Sequence, residues 1–288
     1  MQRQIISTET DSAAKIVGEE KAVELIAKAG FDAWDFTMFT MCRFNRERTM
    51  LLENDHPLAG KNYLQFVRQL RKIGEDNGIF CNQTHAPFPT YLPEMETYLK
   101  RAIECTAELG GSVCVIHPSN KGTLEENVAF YRNLLPFAKA HNVRIATENM
   151  WNWDKEKDQC CFAACATPES FCAHVDGVND PYLVACLDIG HAEMRGLNTS
   201  AAEMIRALGT RLQSLHIHDN DQWHDSHILP FNGKIDFVKI AEALKEIGYS
   251  GEYTLEAARH ITNMSAEEVL PALQEMAISA RKFADMCK

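Results

Sequence analysis

The chain has 288 residues, 45% of them hydrophobic and 24% charged, a globular balance with length for one large α/β barrel or two small domains. Its formal net charge of −11 disfavours unaided binding to a phosphate backbone. No apolar run approaches the ~18 residues of a membrane span, and the opening MQRQIISTETDS lacks the apolar core of a signal peptide, so a soluble, cytoplasmic protein is expected.

Along the chain an apolar β-rich segment, a short polar loop and an amphipathic helix recur about eight times, the rhythm of parallel strands joined by helical crossovers. Strands are expected at 3–8, 33–38, 79–84, 112–116, 143–147, 183–187, 212–217 and 252–255. The helices between them fall at 19–29, where Val23, Ile26 and Ala27 share a face, then at 62–77, 96–109, 124–141, 168–175, 201–208, 236–247 and 265–286. Several helices run into glycine (Gly30, Gly78, Gly110, Gly248), which caps a helix at positive φ and lets the chain turn. No Pro/Gly/Ser-rich linker divides the sequence. The pattern predicts an α/β protein, a single (β/α)8 TIM barrel over residues 1–288.

The ten cysteines form no CxxC pair. Cys105, Cys114 and Cys186 lie in apolar surroundings, while Cys160, Cys161 and Cys165 cluster near a loop. Reduced, partly buried thiols are expected.

Six consecutive strands end in a residue that binds metal or moves a proton: His85, His117, Glu148, Asp188, His218 and Glu256. Carboxyl ends of barrel strands share one mouth, so these residues become neighbours. A lone strand-end carboxylate also serves as a helix cap or a lysine partner, but six in succession point to a shared site. A carboxylate directly after a buried strand is costly unless something pairs with it. Glu148, Asp188, His218 and Glu256 offer three carboxylates and an imidazole to a divalent cation, a set that suits Mn²⁺, Mg²⁺ or Co²⁺ and tolerates Zn²⁺.

In order along nearly the whole chain, THAPFP, VIHPS, TENMW, CLDIGHAE, LHIHDND, DSHILPFNGKIDF and YTLEA resemble the strand-end motifs of the xylose isomerase-like TIM barrel superfamily. That superfamily includes sugar epimerases of the tagatose/psicose 3-epimerase type, hydroxypyruvate and inosose-processing enzymes, and the endonuclease IV family. Resemblance to the epimerases implies one metal held by Glu148, Asp188, His218 and Glu256. It also implies a keto-sugar or aldose chelated through two adjacent oxygens, with a proton removed and returned by Glu148 and Glu256 through a metal-stabilised enediolate. His218 is preferred to His216 because ligand, two residues, then Asp fits His218 with Asp221, leaving His216 as a supporting histidine.

By the same resemblance His191 would contact a substrate hydroxyl. Trp34, Phe36, Trp151 and Trp153, at or beyond strand ends, either stack on a sugar or pack under loops. Arg259 and His260 follow Glu256 closely, to meet a substrate oxygen or to stay solvated. The loop after the seventh strand carries the D-x-H pair Asp225 and His227 and no glycine-rich phosphate cradle, so a non-phosphorylated sugar is preferred.

A second reading comes from the endonuclease IV family, which holds three zinc ions in the same mouth and hydrolyses phosphodiesters at abasic DNA. His85, His117, Glu148, Asp188, His191, His218, Asp225, His227 and Glu256 match its ligands by order and type, and Arg43, Arg46 and Arg48 would meet phosphate. Against it stand HPSN, which lacks the glycine-and-serine pattern of the repair enzymes, the divergent loop DSHILPFNG, and the acidic balance. The preferred reading is therefore a sugar isomerase or epimerase with no nucleic-acid or membrane partner; a barrel that binds metal and sugar without turnover is the third. His85, His117, His191, Asp225 and His227 either bind substrate or hold further metal ions. Paired barrels are common in the superfamily, which leaves a homo-oligomer open.

Overall fold

The computed structural model describes residues 3–45, 47 and 49–288; Arg46 and Arg48, named above for phosphate contact, lie outside the described residues. All eight expected strands are present: β1 (Ile6–Thr8), β2 (Ala33–Thr37), β3 (Phe80–His85), β4 (Val113–Val115), β5 (Arg144–Glu148), β6 (Leu183–Asp188), β7 (Leu212–His216) and β8 (Tyr253–Leu255). Strands β2 to β7 form one parallel sheet in sequence order, and β1 pairs in parallel with β8. Two isolated parallel bridges, Glu9 to Asp35 and Ile217 to Leu255, join these pieces into a ring. The protein is a (β/α)8 TIM barrel.

The outer layer comprises α1 (Glu19–Ala29), α2 (Tyr63–Asp76), α3 (Met95–Leu109), α4 (Leu124–Ala140), α5 (Pro168–Val178), α6 (Ala201–Leu208), α7 (Phe237–Glu246) and α8 (Val269–Met286). Their starts are chemically marked. Thr123 and Glu126 form a reciprocal capping box on α4, Thr167 caps α5 ahead of Pro168, and Ser200 and Asp236 cap α6 and α7. The sequence reading placed in loops two short antiparallel hairpins, Arg43–Asn45 with Met50–Leu52 and Trp151–Asp154 with Gln159–Phe162, and a helix at Asp11–Val17. Elements of three to seven residues hold too few periods to stand out from loop sequence.

Strand alternation sorts the side chains into layers. On β2, Trp34 and Phe36 are fully buried in the main apolar cluster with helix residues such as Ile26 and Leu70. Asp35 turns the other way, accepting a 3.0 Å hydrogen bond from Gln83 Nε2 inside the barrel. Trp34 is thus a packing residue, and the expectation that it stacks on a substrate is corrected; Phe36 shares that fate. On β3 the pairing skips Asn82, a bulge that aims Asn82 and Gln83 at the same interior. Asn82 there accepts from Ser7 at 2.6 Å and donates to Thr254 at 3.1 Å, while Ser214 donates to Gln83 at 2.5 Å. The barrel floor is thus a connected polar network, with Asp35 Oδ1 left without a partner.

All ten cysteines are free thiols, eight of them buried. Among the described residues no helix is long and apolar enough to cross a membrane.

Candidate active site and metal centre

The carboxyl ends of the strands bring His85, His117, Glu148, Asp188 and Glu256 to one mouth, as the sequence reading expected. Register decides which histidine of β7 joins them. Asp188 lies directly opposite His216 in the β6–β7 ladder, and Cys186 opposite Glu148 in the β5–β6 ladder. The ligand atoms of Glu148, Asp188, His216 and Glu256 accordingly all lie within 4.8 Å of one another. His216 Nδ1 is 3.1 Å from Glu148 Oε1 and 3.5 Å from Glu256 Oε2, while its Nε2 stands 3.4 Å from Asp35 Oδ2. A carboxylate behind the imidazole is the support that orients a metal-binding histidine.

His218 occupies a different group from the one expected. Two residues further along the chain, it points the same way but about 6 to 7 Å higher, and its ligand atom clusters with those of His191, Asp225 and His227. The His-x-x-Asp spacing that favoured His218 fits His216 and Asp219 equally. Asp219 is the structural member, accepting from the backbone of Asn220, Gly233 and Ile235, whereas Asp221 accepts from Trp223 and His224 in an exposed turn.

Two further groups adjoin the first. His85 and His117 approach Nε2 to Nε2 at 2.7 Å, with Glu148 Oε2 3.1 Å from His117 and 3.7 Å from His85. On the other side Asp225 lies 3.3 Å from His191 Nε2, 3.2 Å from His227 Nε2 and 3.5 Å from His218 Nε2. His191 donates its Nδ1–H to the Asn149 carbonyl at 2.9 Å and His227 donates its own to the Glu256 carbonyl at 2.7 Å. Both rings therefore present Nε2 as the free ligand atom when neutral.

Buried polar atoms ordinarily find partners. Among the described residues eleven side-chain atoms are buried without a hydrogen bond, and six of them are Glu148 Oε2, Asp188 Oδ2, Asp225 Oδ1, His216 Nε2, His218 Nε2 and His85 Nδ1. All six belong to the three groups, and the mix of carboxylate and imidazole donors fits divalent cations.

Without an ion the charges interlock. Burial alone would raise Glu148, but the His216 charge outweighs it and holds the carboxyl well below its usual range. Burial opposes protonation of His216 as well, yet the anionic groups around it, Glu148 and Glu256 among them, lift it well above the ordinary imidazole range. Despite its burial His227 is raised to about 10, chiefly by Asp225, and burial pushes His117 down.

The mouth opens into a cavity of about 1690 Å³. Trp151 lines it and approaches Asp225 through Nε1 at 3.4 Å, and exposed Arg259 stands at its rim. Phe39 meets the His85 ring edge-on at 4.9 Å, and Phe88 stacks on His117 at 5.3 Å. Sequence reasoning missed both aromatics, along with Asp35 and Asn149. Asn149 donates to the Asp188 carbonyl and accepts from the Asp188 amide, locking the ends of β5 and β6 together. Its place directly after Glu148 was the available signal.

A family model described as xylose isomerase-like TIM barrel matches residues 23–280. The chain belongs to the xylose isomerase-like TIM barrel family. Among its relatives, the uncharacterized protein MJ1311 of Methanocaldococcus jannaschii is 28% identical over 273 residues, covering 88% of this chain and 84% of that one. The uncharacterized protein y4fM of Sinorhizobium fredii is 27% identical over 296 residues, covering 92% and 91%. Similar solved structures include a D-tagatose 3-epimerase-like protein (TM-score 0.67, 24% identity, 95% of this chain and 98% of that one) and an L-ribulose 3-epimerase (0.70, 17%, 99% and 94%). A Methylomonas D-allulose 3-epimerase in complex with D-allulose superposes with TM-score 0.69 at 17% identity, covering 100% and 98%. At these identities the family's barrel is what the chains share.

Proposed function

We propose that the protein is a divalent-metal-dependent sugar isomerase or epimerase that removes and returns a proton on the carbon beside a carbonyl. The observation that carries this reading is the convergence of Glu148, Asp188, His216 and Glu256 at the foot of a sugar-accessible cavity. A divalent ion bound there would draw charge from the sugar's carbonyl oxygen and acidify the neighbouring C–H. Glu148 reaches the site from β5 and Glu256 from the end of β8, with His216 between them. Both carboxyls are held ionised, since nearby imidazole charge outweighs their burial, so either can accept the proton; the carboxyl that has taken it can give it back, and the other can deliver one to the opposite face after taking it from solvent. His191 and His227 present polar atoms to the substrate, and Phe39 and Phe88 pack on the rings of His85 and His117. The epimerase names carried by structurally similar proteins support this chemistry.

Incubating the Mn²⁺-loaded protein with D-fructose, D-tagatose or D-allulose in D₂O should exchange one carbon-bound proton. Glu148→Gln and Glu256→Gln should each slow the exchange at least 100-fold. Exchange at the wild-type rate in both variants would remove these carboxylates from the reaction.

A second reading, hydrolysis of a phosphodiester by a multinuclear centre, is favoured by the two adjoining groups, His85 with His117 and Glu148, and His191 with His218, Asp225 and His227. Several ions would generate hydroxide and clamp the leaving oxygen. Nicking of abasic duplex DNA, lost in His85→Ala and Asp225→Ala, would establish it in place of the first.

A further inference from the structure

The cavity is larger than a sugar needs. Pockets that enclose drug-sized ligands run to ~300–1,000 Å³, whereas this one holds about 1690 Å³. The surplus lies to one side. From the mouth the cavity continues into a cleft between the segment leading into α3 and the exposed side of α4, reaching Glu126, Phe130 and Asn133. Those α4 residues recur at helical spacing, so they form one stripe, and Glu126 to Asn133 spans about 10 Å along the axis.

The facing wall is apolar and unusually bare. Tyr91 is 57% exposed and Phe88 38%, and both line the cavity with Leu92 and Phe130. Exposed aromatics gathered beside a binding mouth mark a surface that expects a ligand. Phe88 also stacks on His117, so the apolar wall is continuous with the candidate metal centre. Glu96, ion-paired with Lys100 at 2.6 Å, and Glu126 stand in the cleft beside Lys121, a balanced set of charges that calls for no charged tail.

We propose that the substrate is a keto-sugar, its carbonyl on a ring carbon, bonded to a neutral apolar or aromatic group, with the sugar at the barrel mouth and the attached group in the cleft between Tyr91 and α4. This rests on the sugar reading of the mouth and names the class of sugar it accepts. A free monosaccharide would leave the cleft wet and gain nothing from Tyr91 or Phe130.

The test compares two ligands with the same sugar. Methyl β-D-glucopyranoside and phenyl β-D-glucopyranoside, which lack a carbonyl and so bind as analogues without turnover, are titrated calorimetrically into the Mn²⁺-loaded protein. The phenyl glucoside should bind at least tenfold tighter. Tyr91→Ala combined with Phe130→Ala should erase that preference while the methyl glucoside's affinity stays within twofold. Asn133→Trp, which fills the cleft and leaves its apolar wall in place, should erase it too, so a folding defect in the double variant does not decide the outcome. Equal affinities in the wild type, a preference surviving in both variants, or no binding by either glucoside overturns the proposal. Proton exchange into free ketoses judges the sugar reading separately.

Discussion

His85 and His117 face each other Nε2 to Nε2 across 2.7 Å. Two imidazole nitrogens at that distance either share one proton or share one ion, and Glu148 Oε2, 3.1 Å from His117, is placed to complete the second arrangement. The number of ions per chain therefore separates the two functional readings. After equilibration with Mn²⁺ and gel filtration, the sugar reading expects about one retained ion by atomic absorption, lost in Asp188→Ala and kept in His85→Ala. Retention of about three, falling by one in His85→Ala, would move the balance to the hydrolase.

The two β7 histidines should behave differently. His216 is embedded between Glu148, Glu256 and Asp35, so His216→Ala removes a ligand from the central group and should weaken Mn²⁺ binding by well over 100-fold. His218 touches that group only through Asp188, at 3.1 Å, and its ring stacks on His227 at 3.9 Å. Its loss should cost roughly 10- to 100-fold, the range for residues that orient a ligand. Calorimetric titration of both variants checks the order, and a reversed order would return His218 to the centre.

Glu9, at the end of β1, supplies a pH signature of the metal-free fold. Burial lifts its carboxyl to about 7, against hydrogen bonds from the Ser12 hydroxyl and amide that favour the charged form. Between about 4.5 and 7 the folded chain thus binds more protons than the unfolded one, and stability falls as pH rises through that window. Glu9→Gln removes the penalty. In urea melts of the metal-free protein its stabilising effect should be larger at pH 8 than at pH 5 by about 2 kcal/mol. A difference that does not change with pH would show that Glu9 is ionised throughout.

Much of this architecture was legible in residue order. The barrel strands announce themselves as short apolar runs because they are covered on both faces, and the strand-end residues follow from where those runs stop. Register was the part the sequence could not show. His216 and His218 share a parity, so both point inward, and only the pairing of Asp188 with His216 tells which is level with Asp188. Trp34 misled for a related reason: the end of a strand is easy to locate, but which of its faces looks inward depends on neighbours far away in the chain. Asp35, one residue on, was the inward-facing member.

Glu256 reaches the central group from the end of the last strand, and that strand is held by the first, through Tyr253 opposite Ile6 and Leu255 opposite Thr8. During synthesis the other three donors have all emerged long before this pairing can form. A nascent chain halted before β8 thus carries an incomplete cage and an unsealed ring at once. Were an ion held there, its capture and the closure of the cylinder would be the same event, and loading with metal would report that the polypeptide has been made through to its final strand.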